Sequence, residues 1–124
     1  MNKFDLEERL IDFVVLIIEL TKSMPASKAS NHLIDQIIRS TSSSALNYGE
    51  AQSGESRRDF IHKIKIVLKE LRESYVCLKI IYRANLYTDK SQIEKAMHEN
   101  NELISIFVKS AETAQKNMSN KGSH

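Results

Sequence analysis

The stretch SRRDFIHKIKIVLKELRESYVCLKIIY, residues 56–82, decides the fold. Phe60, Ile64, Val67, Leu68, Leu71, Tyr75, Leu78 and Tyr82 recur at three- and four-residue intervals, the period of one helix face. Ser56 supplies an N-cap, with Asp59 three residues on. No Gly or Pro interrupts the run, so it reads as one helix of about 30 residues, roughly 45 Å long.

Ser53-Gly54-Glu55 breaks the chain before this helix, with Gly54 suited to a left-handed cap. Asn85-Leu86-Tyr87-Thr88 ends it. Upstream, a second helix runs from Ser27 or Ser30 to Gln52, with Ile34, Ile37, Ile38, Thr41, Ala45 and Tyr48 on one face. A first helix, Phe4 to Ser23, presents Leu6, Leu10, Phe13, Ile17 and Leu20. It stops at Ser23-Met24-Pro25, because the residue before proline disfavours helix and proline lacks an N–H. Downstream, Asp89 with Gln92 resembles a capping box and opens a fourth helix reaching about Asn117. Its face is Ile93, Met97, Ile104, Phe107, Ala111 and Ala114. Thr41 and Asn100 fall inside apolar faces and need hydrogen-bond partners there. Four long helices with short connections make an all-α, antiparallel up-down-up-down four-helix bundle. The expected domain is residues 1–118, followed by a disordered tail, 119–124.

The composition agrees. A chain of 124 residues is one domain, long enough to bury a core without disulfides or metal. One cysteine, Cys77, excludes an intramolecular disulfide framework and a multi-cysteine zinc site. Three Gly, one Pro and no Trp argue against a turn-rich β-barrel or sandwich. No apolar run approaches a transmembrane span, and Met1-Asn2-Lys3-Phe4-Asp5 lacks a signal-peptide shape. The expectation is a soluble, cytoplasmic protein with no membrane partner.

Two helices are apolar on more than one side. On the first, Phe4, Ile11, Val15 and Ile18 form a second stripe roughly opposite the core stripe. Asp5, Glu8, Asp12 and Glu19 occupy a narrow strip between the two. On the third, Ile66, Cys77, Ile80 and Ile81 lie far from the core arc. A bundle helix needs one buried face, and large exposed apolar patches are uncommon in monomers. These eight residues are therefore expected to form a homo-oligomer interface.

Charge is nearly balanced, 18 basic against 16 acidic, but residues 30–85 carry 9 and 6. Within that segment, Lys65, Lys69, Arg72, Lys79 and Arg83 follow i, i+4, i+7, i+14 and i+18, with Arg58 on the same side. They form a basic ridge about 35 Å long beside the core face. Spaced cations on a rigid helix can follow RNA or DNA phosphates and release counterions. The alternative is a solvated face with paired heads, such as Lys69 with Glu73.

Other constellations are weaker. Ser40 to Ser44 sit in the second helix with no accompanying base or oxyanion pattern, so close helix packing with hydroxyls bonded back to carbonyls is the reading. Glu94, His98 and Glu102, and Asp59 with His62, have helical metal-ligand spacing but lack the repeated inward set of a di-iron bundle. Cys77 has no neighbouring His or Lys to activate it. There is no P-loop, G-x-G-x-x-G or H-E-x-x-H. No catalytic residue, metal or cofactor is assigned.

Several stretches resemble the 23S ribosomal RNA intervening-sequence proteins. They are Phe4-Asp5-Leu6, Gln36-Ile37-Ile38-Arg39-Ser40, Ser44-Ala45-Leu46-Asn47-Tyr48-Gly49-Glu50-Ala51, Ser56 to Phe60-Ile61, and Leu68-Lys69-Glu70-Leu71-Arg72-Glu73. The match covers roughly residues 3–85, with a looser fit through the fourth helix. The resemblance implies a left-turning four-helix bundle assembled as a ring-like homopentamer, and a gene carried within ribosomal RNA genes or a free-standing relative of one. That family is distantly similar to the accessory variability protein of diversity-generating retroelements, a basic pentamer that binds nucleic acid and works with a reverse transcriptase. Arg39, Asn47 and Glu50 match the family motif and are read as structural, organising an interface through hydrogen bonds. Two functions stay open: a non-catalytic oligomer whose ridge contacts nucleic acid, and a structural or protein-interaction module that does not.

Overall fold

The computed structural model describes residues 2–54 and 56–122. It contains four helices: α1 (Lys3–Lys22), α2 (Lys28–Gln52), α3 (Arg57–Arg83) and α4 (Lys90–Gly122). Each begins where a short polar side chain satisfies otherwise free N–H groups. Asn2 Oδ1 accepts from Phe4 N at 2.9 Å and Asp5 N at 3.0 Å, and Asp5 answers to Asn2 N, completing a capping box. Ser27 Oγ accepts from Ser30 N, and Ser56 Oγ from Asp59 N. Asp89 accepts from Ser91 N and Oγ, at 3.1 and 2.6 Å.

The helix ends differ from expectation in two places. No described glycine has a positive φ, so Gly54 is not a left-handed cap. The end of α2 tightens instead through short-range bonds, Ser53 N to Glu50 O and Gly54 N to Ala51 O, both 3.2 Å. The left-handed residue is Asn85, at φ 56. Around it Leu86 N bonds Ile81 O and Asn85 N bonds Tyr82 O, the paired closure of a Schellman motif. The residues from Ser119 to Gly122, expected in a disordered tail, continue α4. Extending a formed helix fixes only one more residue per bond, and nothing stops it before Gly122. Residues 123 and 124 lie outside the described residues.

The helices form a ring of neighbours, α1 against α2 and α4, and α3 against α2 and α4. The diagonal pairs do not approach at the backbone. This is the antiparallel up-down-up-down bundle. Leu6, Leu10, Phe13, Ile17 and Leu20 of α1 are all buried, as the spacing predicts. Tyr48 and Phe107 meet edge to face, centroids 5.2 Å apart, near the α1 N-terminal end of the core.

The inward arcs of α2 and α4 are each turned slightly from the expected ones. On α2, Leu33, Ile37, Ser40, Thr41, Ser44, Tyr48 and Ala51 are buried, while Ile34, Ile38 and Ala45 are half-buried. On α4, Ala96 and Leu103 join Ile93 and Phe107 inside, and Met97, Ile104 and Ala111 lie at the margin. The cause on α2 is its hydroxyl residues, which bury without loss by bonding back along the helix. Thr41 Oγ1 donates to Ile37 O at 2.8 Å, Ser44 Oγ to Thr41 O at 2.6 Å, and Ser40 Oγ lies 2.8 Å from Ser74 Oγ on α3. Small side chains at these positions let α2 and α3 pack closely.

A candidate binding surface on helices one to three

The α3 ridge is built as the spacing implies. Arg58, Lys65, Lys69, Arg72 and Arg83 are exposed, and Lys79 is half-buried with its ammonium 5.1 Å from the Tyr75 ring centroid. None of the six takes part in an ion pair among the described residues. The pairing of Lys69 with Glu73 does not form, because Glu73 turns to α2. There Arg39 holds Glu73 at 2.6 Å and Glu70 at 3.1 Å. The Glu73 hydrogen bond, opposed by partial burial and helped by both carboxylate charges, raises the Arg39 pKa above its ordinary value. Two acidic side chains of α3 are thus neutralised beside the ridge, and Arg58, Lys65, Lys69, Arg72 and Arg83 stay exposed.

The motif residues Arg39, Asn47 and Glu50 do not form one cluster. Arg39 ties α2 to the middle of α3. Glu50 pairs with Lys63 near the α3 N-terminus. Asn47 bonds within α2, Nδ2 donating to Ser43 O at 2.9 Å and Ser43 Oγ at 3.1 Å.

Of the expected interface residues, Phe4, Ile11 and Val15 on α1 are exposed, at 63%, 41% and 50%, and Ile18 is half-buried. On α3, Ile80 is 44% exposed, while Ile66 and Cys77 are half-buried. Ile81 is a correction, for it is fully buried in the core. The buried arc of α3 is wider than a narrow stripe, because α3 packs against both α2 and α4. Two exposed apolar residues escaped the sequence reading, Leu46 on α2 and Val76 on α3. Val76 lies among the ridge cations by helical angle, where an isolated valine gives no periodic signal.

Val76 and Ile80 belong to a shallow groove of about 660 Å³ between α2 and α3. Leu33 and Cys77 share its apolar lining, and Lys69, Arg72 and His32 add the polar side. Burial first, and then the charge of Glu73, push the Cys77 thiol pKa up, so at neutral pH it is a thiol rather than a nucleophile.

Of the residues with metal-ligand spacing, Asp59 and His62 lie exposed on the first turns of α3, and the α4 set is only loosely gathered. Glu94 accepts from Tyr82 Oη at 3.1 Å, while Glu102 lies 3.5 Å from His98 and 3.8 Å from Arg9. No three of the described His, Cys, Asp or Glu residues gather as a metal set. No described helix is long and apolar enough to cross a membrane.

Fold and surface together define a class, the up-and-down four-helix bundle whose polar and apolar patches lie on its outer helix faces. The family model for the 23S rRNA-intervening sequence protein matches residues 2–109, and the chain belongs to that family. A solved structure similar to this chain is a protein of unknown function from the S23 ribosomal protein family of Bacteroides thetaiotaomicron VPI-5482. It is 28% identical with a TM-score of 0.81, over 90% of this chain and 99% of that one. Comparison with functionally curated proteins returns no match.

Proposed function

We propose that the protein is a non-catalytic, self-associating scaffold that contacts RNA or DNA phosphates through the α3 ridge. The observation that carries this reading is that Arg58, Lys65, Lys69, Arg72, Lys79 and Arg83 line one rigid helix and form no ion pair among the described residues. Arg58 to Arg83 spans about 37 Å at the helical rise, a length that phosphates of one duplex face can follow. Binding of this kind has weak sequence preference and steep salt dependence. Self-association is supported by the exposed stripe of α1 and, as the family resemblance implies, takes the form of a homopentamer. Repetition of the ridge around such an assembly multiplies a charge that is modest in one chain.

The test is fluorescence-anisotropy binding to a structured RNA and a duplex DNA over a salt series. Wild type is compared with an Arg58/Lys65/Lys79/Arg83→Gln variant, whose four positions lie outside the lining of the α2–α3 groove. The expected result is binding that falls steeply with salt and is lost in the variant. Absence of binding at low salt overturns the nucleic-acid reading. The second reading, a protein-interaction module, is favoured by Phe4, Ile11 and Val15, and it then stands alone.

A further inference from the structure

The geometry points to a heterologous contact in which the outer face of α1 of one copy seats in the α2–α3 groove of a second copy. This inference rests on the self-association reading above and names the two surfaces that meet.

The α1 face has the form of a groove-binding helix. Ile11, Val15 and Ile18 recur at i, i+4 and i+7, the anchor spacing of a helix laid into an apolar groove. Glu8 and Asp12 lie beside them, exposed and outside every described ion pair. The groove has the complementary form. Leu33, Val76, Cys77 and Ile80 give apolar lining, and Lys69 and Arg72 give positive charge outside every ion pair among the described residues. Glu73, the carboxylate in the same groove, is held by Arg39. The lengths also agree. Phe4 to Ile18 spans about 21 Å and Lys69 to Ile80 about 17 Å at the helical rise.

The occupant is a second copy because α1 of the same chain cannot reach. It lies diagonal to α3 across the bundle, and its Leu6, Leu10, Phe13 and Ile17 face is already in the core. Charge also selects the pairing. Stripe against stripe would bring Glu8 and Asp12 to their own copies, and groove against groove would do the same for Lys69 and Arg72. Stripe against groove joins opposite signs around an apolar centre. Each copy then carries one donor face and one acceptor face, the arrangement that closes a ring when the rotation permits. The contact also divides the ridge: Lys69 and Arg72 enter the interface, and Arg58, Lys65, Lys79 and Arg83, which do not line the groove, are the cations left for phosphates in the assembly.

Two double variants test this by complementation. Ile11→Gln/Val15→Gln removes the donor face, and Val76→Gln/Ile80→Gln removes the acceptor face. Glutamine preserves helix propensity and adds no charge. Light scattering behind a sizing column reads the mass, and circular dichroism checks that each variant is helical. Wild type is expected at several times the 14.2 kDa chain mass, and each variant alone at the single-chain mass. Mixed one to one, the variants are expected to give a complex of two chains and no larger species, since only one intact stripe and one intact groove remain. Where an apolar variant fails to fold, Glu8→Gln/Asp12→Gln and Lys69→Gln/Arg72→Gln are mixed in the same design. Assembly of either variant by itself, or a mixture that stays at the single-chain mass, overturns the pairing and leaves self-association standing. Wild type at the single-chain mass at every concentration overturns both.

Discussion

Arg39 on α2 lies 3.1 Å from Glu70 on α3, and the Glu70 side chain is only 8% exposed. A carboxylate this buried depends on its partner, since removing one member of such a pair leaves the other charge uncompensated. Arg39 itself is half exposed, so water recovers part of the loss. Arg39→Ala is expected to cost about 1–2 kcal/mol. Adding Glu70→Gln should return part of that, because the stranded charge is gone. Urea denaturation of the two single variants and the double variant checks it, and strictly additive losses would show that the pair is uncoupled.

Asn100 is fully buried on α4. Its Nδ2 donates to Leu71 O at 2.9 Å, while Oδ1 has no hydrogen-bond partner among the described residues. An unmatched buried polar atom costs about 1–3 kcal/mol. Asn100→Leu has nearly the same shape and removes that cost. The expected outcome is a gain of about 1 kcal/mol in unfolding free energy. A clear loss in urea titration would mean that Oδ1 is satisfied in solution.

Gly49 lies inside α2, where glycine disfavours helix by roughly 0.5–1 kcal/mol relative to alanine. A Cβ placed there would approach Glu7 Oε1 of α1 at 3.3 Å. That contact is tight, but it is with the far end of a flexible side chain. Gly49→Ala is therefore expected to raise the melting temperature, and a fall would show that Glu7 cannot move aside.

Asp89 caps α4, and its hydrogen bond from Ser91 Oγ, followed by backbone bonds from Gln92 and Ser91, lowers its pKa below the ordinary value. A depressed folded-state pKa stabilises the fold at pH above the unfolded value, and that contribution fades as pH falls through the folded value. Asp89→Ala should thus melt below wild type at pH 7. The gap should narrow as pH drops under about 4, the region of an unperturbed aspartate. Thermal melts of both proteins from pH 7 to pH 3 check the sign.

The sequence reading succeeded where one side chain carries one message. Leu6, Leu10, Phe13, Ile17 and Leu20 announce the inner face of α1, and the lysine and arginine spacing announces the ridge. It slipped where polarity hides burial. Ser40 and Ser44 bury and bond back to carbonyls as that stretch leads one to expect, but Ser74 carries no such signal, and its hydroxyl turns inward to Glu70 O and to Ser40 Oγ. Glu73 is spaced to pair with Lys69, and only the approach of α2 shows that Arg39 holds both Glu73 and Glu70. Val76 and the groove were not legible at all, because a groove belongs to two helices and no periodicity in either one marks it.

Arg9 on α1 grips Glu99 on α4 with two parallel bonds, Nε to Oε2 at 2.8 Å and Nη2 to Oε1 at 2.7 Å, across 90 residues of chain. During synthesis, α1 therefore waits for α4, the later-made partner of this ion pair. Until α4 emerges, the inner stripe of α1 can lie only against the α2–α3 hairpin of its own chain, which is complete by Arg83. Closure of the bundle comes late among these four helices, since α1 meets its second neighbour only once α4 is made.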